Sequence, residues 1–297
     1  MKVETRKGTN SKFSKQSLIC RCLPILLAVS VFSPMTMAAT SKVSSQSSVK
    51  KNTVAPEPEK KSVSLLVGLE RSSNLIEEGS PRDNTATDLL LRPSWTLNEN
   101  WTLSNRTIFE QEETGPRNSS LSDSEFRLSL KGAQLNDQFS LTHSISGYAP
   151  TNEENRKKNS FQGAATARTG IKAVYPLGEF SYGMSLRRNF HEYKVSSENS
   201  PNIEYSLSHA ISGRIPLSTK WSVESLGIFA QGRTYGGLER QNFSFDFDVV
   251  FEAIKDFSIN LGTSNKGSAL KANGHDSNIK AFDEHSSVLR LGVSYVL

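Results

Sequence analysis

From residue 62 to residue 297 apolar and polar side chains alternate with a period of two, the pattern of strands with one apolar and one wet face. The first run sets Val63, Leu65, Val67 and Leu69 against Ser64, Gly68 and Glu70. The second sets Leu89, Leu91, Trp95 and Leu97 against Asp88, Arg92, Ser94 and Thr96, and the third sets Trp101, Leu103, Thr107 and Phe109 against Thr102, Ser104, Arg106 and Glu110. Further runs at 126–130, 139–145, 161–175, 180–186, 203–215, 221–229, 243–251, 257–261 and 289–297 keep the period. About twelve antiparallel strands, each joined to the next in sequence, predict an all-β fold: a closed up-and-down barrel.

Alternation alone also suits a soluble barrel or sandwich with its apolar face inward, so the connections and the aromatic residues decide the direction. The connections are expected to alternate strictly between short (98–100, 136–137, 176–178, 216–220, 255–256) and long and polar (71–87, 111–121, 150–160, 265–284), as in barrels that cross a membrane. Trp95, Trp101, Phe139, Tyr175, Phe180, Tyr182, Trp221, Phe257 and Tyr295 fall near the short turns. Phe109, Tyr148, Phe161, Phe190, Tyr205 and Phe243 fall near the long loops. Two aromatic girdles at opposite strand ends are expected where rings settle at membrane interfaces. In lipid an open sheet edge leaves backbone groups unpaired at several kcal/mol each, so the transmembrane set is closed and even in number.

The last strand alternates Leu289, Leu291, Val293, Tyr295 and Leu297 with Arg290, Gly292 and Ser294. In this strand, and in the run of strands before it, the chain resembles bacterial outer-membrane β-barrel proteins. Their final strand ends on an aromatic or apolar residue read by the barrel-assembly machinery, and here Leu297 stands where phenylalanine is usual. The resemblance implies a Gram-negative outer membrane, with its lipid, periplasmic chaperones and the assembly machinery as partners. Twelve-stranded members of that class include acidic-sugar porins, phospholipases and autotransporter translocators. The short segment before the barrel leaves no passenger domain of the autotransporter kind.

Residues 1–38 read as a secretory signal: Lys2, Arg6, Lys7, Lys12, Lys15 and Arg21 precede an apolar run from Cys22 to Phe32 that is too short to span a bilayer, and cleavage is expected after Ala38. Residues 39–61, rich in Ser, Lys, Thr and Pro and without aromatics, read as a disordered periplasmic leader ahead of the 62–297 barrel. Both cysteines, Cys20 and Cys22, lie in the signal, which leaves the mature chain no disulfide, Cys-ligated metal or thiol nucleophile. The basic excess also belongs to the signal, because the rest of the chain carries 29 basic and 29 acidic residues. That balance argues against nucleic-acid binding, and neither metal-ligand spacing nor a cofactor fingerprint is present.

With the aromatic-bearing face toward lipid, parity assigns the lumen. Its basic members are Arg92, Arg106, Arg127, Lys131, Arg168, Lys172, Arg187, Arg214 and Arg290, and its acidic members include Glu125, Glu224, Asp246, Asp248 and Glu252. The fourth to seventh strands carry bases with only Glu125 against them, and the ninth and tenth carry acids with no base. Opposed walls of this kind predict a porin-like channel for small hydrophilic solutes or ions. A structural or surface-binding barrel, with the same charges as salt-bridged filling, is the alternative.

A lipid-face acyl hydrolase is the third reading. His143 and His209 interrupt the apolar face, where a polar side chain is costly. His143 with a nearby hydroxyl, or His209 with Ser225 on the next strand, would supply a base and a nucleophile, although the His-x-Ser-Asn-Gly segment of outer-membrane phospholipases is absent. A β-bulge that turns one histidine inward, or a contact between protomers of a homo-oligomer, would equally account for them. His191, His275 and His285 fall in or beside long loops.

Overall fold

Each alternating run folds as a strand in the computed structural model, which describes residues 62–75, 84–114, 117–271, 274–284 and 286–297. The expected signal and leader lie outside the described residues. In chain order the elements are β1 (Val63–Asn74), β2 (Thr85–Thr96), β3 (Trp101–Glu112), β4 (Ser119–Leu121), β5 (Ser124–Leu130), β6 (Phe139–Ala149), α1 (Glu153–Asn159), β7 (Phe161–Tyr175), β8 (Gly178–His191), β9 (Ile203–Pro216), β10 (Trp221–Thr234), β11 (Glu239–Ile254), β12 (Phe257–Ser268) and β13 (Val288–Val296). Neighbours pair antiparallel, and β1 pairs with both β2 and β13, so the sheet closes on itself.

Thirteen strands make twelve staves. β4 and β5 both pair with β3, β4 against Phe109–Gln111 and β5 against Trp101–Arg106, and together they form one interrupted stave. At the break Ser122 exchanges bonds with Ile108, while Asp123 leaves the ladder and accepts from Asn152 N–H at 3.1 Å and Asn155 Nδ2 at 2.6 Å. The interruption thus holds α1 at the long-loop end. Asn152 caps that helix by accepting from Asn155 N–H, and Ser160 ends it in the left-handed region. Lys158 of α1 reaches across to Glu198, whose carboxylate, with that of Glu154, raises the ammonium pKa above its usual range.

The two faces are identified by what crosses an intervening strand. Arg168 on β7 reaches Glu125 on β5, and Arg290 on β13 reaches Asp248 on β11, which only a concave surface allows. The opposite parity is apolar and outward: Ile145, Leu261 and Leu291 are each more than half exposed on the convex wall. Aromatic rings gather there near the short turns, with Phe139, Tyr175 and Phe180 in a chain of contacts at 6.2 and 6.4 Å and Trp221 against Phe251 at 4.7 Å.

Three expectations need correction. The connections do not alternate strictly, because β10 and β11 are joined at the long-loop end by only residues 235–238, a tight turn with Gly237 at φ 80°. Phe161 is not part of the outer girdle. A register shift between Phe161 and Gly163 adds a residue to β7 and turns the ring into the lumen, where it packs on His191. Tyr148 also faces the lumen, on the polar parity of β6, and Phe243, though outward, is covered by the segment before β13.

Candidate functional site

The lumen holds two charge clusters of opposite sign, and each is built around one residue of the other sign. On one wall Glu125 is the centre. Its carboxylate accepts from Arg127 at 3.0 and 3.2 Å and pairs with Arg168 Nη1 at 2.8 Å, and all three side chains are nearly buried. Arg168 continues to the Ser146 hydroxyl and to Tyr148 Oη, and the Arg187 guanidinium lies 4.2 Å from the centre of the Tyr148 ring. Arg106 is the register partner of Glu125 on the neighbouring strand. The β2–β3 register lapses at Arg92 and Pro93, proline having no N–H to give, but resumes unshifted at Ser94, so Arg92 lies across from Arg106 on the same wall.

On the other wall Arg290 is the centre. It meets Asp248 at 2.8 Å, Asp246 at 3.2 Å and Glu70 at 3.9 Å. Glu70, Asp88 and Glu110 stand in register across β1, β2 and β3 and extend the row of carboxylates. Asp248 and Arg290 lie on strands separated by β12, and the residue between them is Gly262, in register with both. A Cβ there would come within 2.0 Å of Asp248 Oδ1. The pair closes over the missing side chain. Gly262→Ala is therefore expected to part Asp248 from Arg290 and to cost about 2 kcal/mol, as overpacking does, measured by urea unfolding of the refolded barrel in micelles.

The remaining charges differ from the sequence reading in their partners. Lys172 pairs with Glu179 at 2.6 Å, a carboxylate on the lumen parity of β8 that the sequence reading left out, so the basic wall has two acids rather than one. Arg214 pairs with Glu224 at 3.2 Å. The acids of β10 and β11 are not without a base, because Arg290 arrives among them from β13 once the barrel closes. Lys131 lies past the end of β5 in the turn region and is exposed, and Glu252 sits exposed beside the register shift near the end of β11. Carboxylates consequently line β11, β13 and β1 to β3, and basic side chains line β5 to β8, with Arg92 and Arg106 on β2 and β3 beside them.

At the long-loop end α1 and residues 192–202 enclose a polar cavity of about 370 Å³ above Arg187, lined by Asn155, Asn159, Asn189, His191 and Asn202. Asn202 is buried and donates to Asn159 O and Tyr193 O at 2.9 Å each, which ties the two loops together. Residues far apart in sequence make this vestibule, and only the lumen parity of Arg187 pointed toward it.

Both lipid-face histidines stay on the outer wall, in uninterrupted ladders, so no bulge turns either inward. His143 Nδ1 lies 3.0 Å from the Thr169 hydroxyl and His209 Nδ1 lies 2.6 Å from Tyr182 Oη. Ser225 is not brought to His209. Its register partner is Gly213, whereas His209 faces Phe229, an offset of four residues or about 13 Å along the strand. Among the described residues no group of three His, Cys, Asp or Glu is placed to hold a metal ion, and no helix is long and apolar enough to cross a membrane.

No protein-family model matches the chain and no curated protein matches it in sequence. Among solved structures it is similar to an outer-membrane channel from Pseudomonas putida F1, with a TM-score of 0.55 at 14% identity over 79% of this chain and 95% of that one. Fainter likenesses are to the KdgM porin, with a TM-score of 0.44 at 11% identity over 77% and 98%, and to the NanC porin, with 0.46 at 10% over 78% and 98%. The fold is a closed antiparallel β-barrel of twelve staves, as in that channel.

Proposed function

We propose that the protein is a porin-like channel of the bacterial outer membrane for small hydrophilic solutes or ions. The observation that carries this reading is the segregation of charge: the Glu125-centred basic cluster and the Arg290-centred acidic cluster occupy facing walls of one lumen. A salt-bridged plug would leave each cluster neutral, whereas Glu125 serves two arginines and three carboxylates share Arg290, so each cluster keeps a net charge of one sign. Facing walls instead set a field across the path between them, which orients a dipolar solute and selects among ions. The similarity in fold to an outer-membrane channel supports the same reading.

The lumen residues then have distinct parts. Arg92, Arg106, Arg168 and Arg187 form the surface that attracts anionic groups, and Glu70, Asp88, Asp246 and Asp248 form the one that attracts cationic groups. Lys172 with Glu179 and Arg214 with Glu224 are locally neutral and contribute little selectivity. The last strand, Leu289 to Leu297, is the segment offered to the assembly machinery.

The test is the current through single molecules refolded in planar bilayers under a salt gradient. Reproducible steps are expected. Arg168→Glu and Lys172→Glu are each expected to move the reversal potential toward cation selectivity, because each swap changes the lumen charge by two units and leaves the partner carboxylate, Glu125 or Glu179, beside a second one. A folded protein that passes no current would remove the channel reading and leave a structural barrel, which the ion pairs at Lys172 and Arg214 would then explain as filling.

A further inference from the structure

The convex wall carries a second built feature, away from the lumen. Across β8, β9 and β10 three outward side chains stand side by side near the long-loop end: Arg188, Tyr205 and Arg233, with Tyr205 in register with both arginines. The Arg188 guanidinium lies 5.3 Å from the Tyr205 ring and 5.4 Å from the Phe190 ring. Glu204 approaches Arg188 only to 3.8 Å, and Glu239 is the register partner of Arg233. A charged side chain on the lipid face is costly at mid-bilayer and nearly free at the interface, which fits the height of this row above the apolar band.

Four residues below Arg233 and Tyr205 on their own strands, about 13 Å along the wall, Phe229 and His209 open an apolar cavity of about 430 Å³. Its outer-wall lining continues over Phe243, Phe245 and Phe247, and Gly227 deepens it, since a Cβ there would meet the Phe245 ring at 3.1 Å. Ile279 and Ala281, from the connection between β12 and β13, form its other side. That strap is fixed on the outside of the barrel by Asn265. The outward side chain of Asn265 is 2% exposed, donates to Lys280 O at 2.8 Å and accepts from the Ser286 hydroxyl at 2.9 Å. The basic group nearest the strap's anchor, Lys280, is paired with Asp283.

We propose that this is a binding site for one phosphorylated acyl lipid of the outer leaflet, its phosphate on Arg188 and Arg233 and one acyl chain in the cavity below. The charge of the row and its spacing from the cavity match a headgroup joined to a chain. The cavity holds roughly fourteen water-sized volumes of about 30 Å³, and a methylene group is of similar size. Free phosphate would use the arginines but not the groove, and a zwitterionic lipid would use the groove but gain little from the arginines. The site rests on the outer-membrane reading with the long loops outside, and it is independent of whether the lumen conducts.

The experiment is native mass spectrometry of the full chain refolded in dodecyl maltoside, with bis-phosphoryl lipid A as the probe. A one-to-one complex is expected. It should weaken at least about tenfold when the lipid is dephosphorylated and when R188Q and R233Q are combined, as the loss of charge-assisted bonds implies. It should persist with R188K and R233K, and should weaken again with Ile279→Glu in the groove. Absence of a complex, equal binding of the dephosphorylated lipid, or displacement by inorganic phosphate at the lipid's own concentration would overturn the proposal. Bilayer currents of the arginine variants should match the parent, so a silent barrel that still binds lipid A separates failure of the channel from failure of this site.

Discussion

Glu125→Gln is expected to cost about 3 to 5 kcal/mol, the usual penalty for removing one partner of a buried ion pair, and to shift the lumen toward anions. The carboxylate is the centre of its wall. Its side chain is 5% exposed and it holds Arg127 and Arg168, themselves only 11% and 12% exposed, in one network. Glutamine keeps the shape and one acceptor oxygen but leaves the guanidinium groups repelling one another in a poorly solvated corner, with Arg92 and Arg106 beside them. Urea unfolding followed by tryptophan fluorescence checks the stability, and the reversal potential checks the charge. A variant as stable as the parent would mean that water, not Glu125, balances that wall.

Arg290→Gln is the mirror experiment, with a loss of similar size, about 3 kcal/mol. Here Asp248, Asp246 and Glu70 lose their common cation, and current should shift toward cations. A second substitution separates the pairwise part: Asp248→Asn in the Arg290→Gln background is expected to recover part of the stability, because it removes one of the repelling carboxylates. Failure of the double variant to recover any would assign the effect of Arg290 to packing of its stem rather than to charge.

Much of the architecture was legible along the chain because a period-two pattern fixes the face of every residue once one is known. Trp101, Leu103, Phe109 and the final Leu289 to Tyr295 run placed the outer wall, and with it the lumen parity of Arg92, Arg168 and Asp248. What escaped was whatever breaks the period or joins distant strands. A bulge beside Gly163 turned Phe161 inward. The gathering of acids around Arg290 required the first and last strands to meet, which no local pattern states. The strap over Asn265 and the vestibule of Asn155, Asn189 and Asn202 depend on how loops fold back, and their polar sequences carry no periodicity to read. Glu179 was readable by parity, one residue before Phe180.

The seam of the barrel has a kinetic consequence. Every other pairing joins staves consecutive in sequence, whereas β1 and β13 match Leu66 to Val296, about 230 positions apart. Closing a flexible loop of that length costs about 5 kcal/mol of chain entropy before any ladder bond is gained. The hairpins need no such help, so the seam is the step that ring closure waits on. Leu65 and Leu297, which exchange the last two backbone bonds of the seam at 2.9 and 3.3 Å, therefore act as the latch of a chain that is otherwise zipped, and a truncation by a few residues at either side of it would leave a curved sheet with two sticky edges rather than a smaller pore.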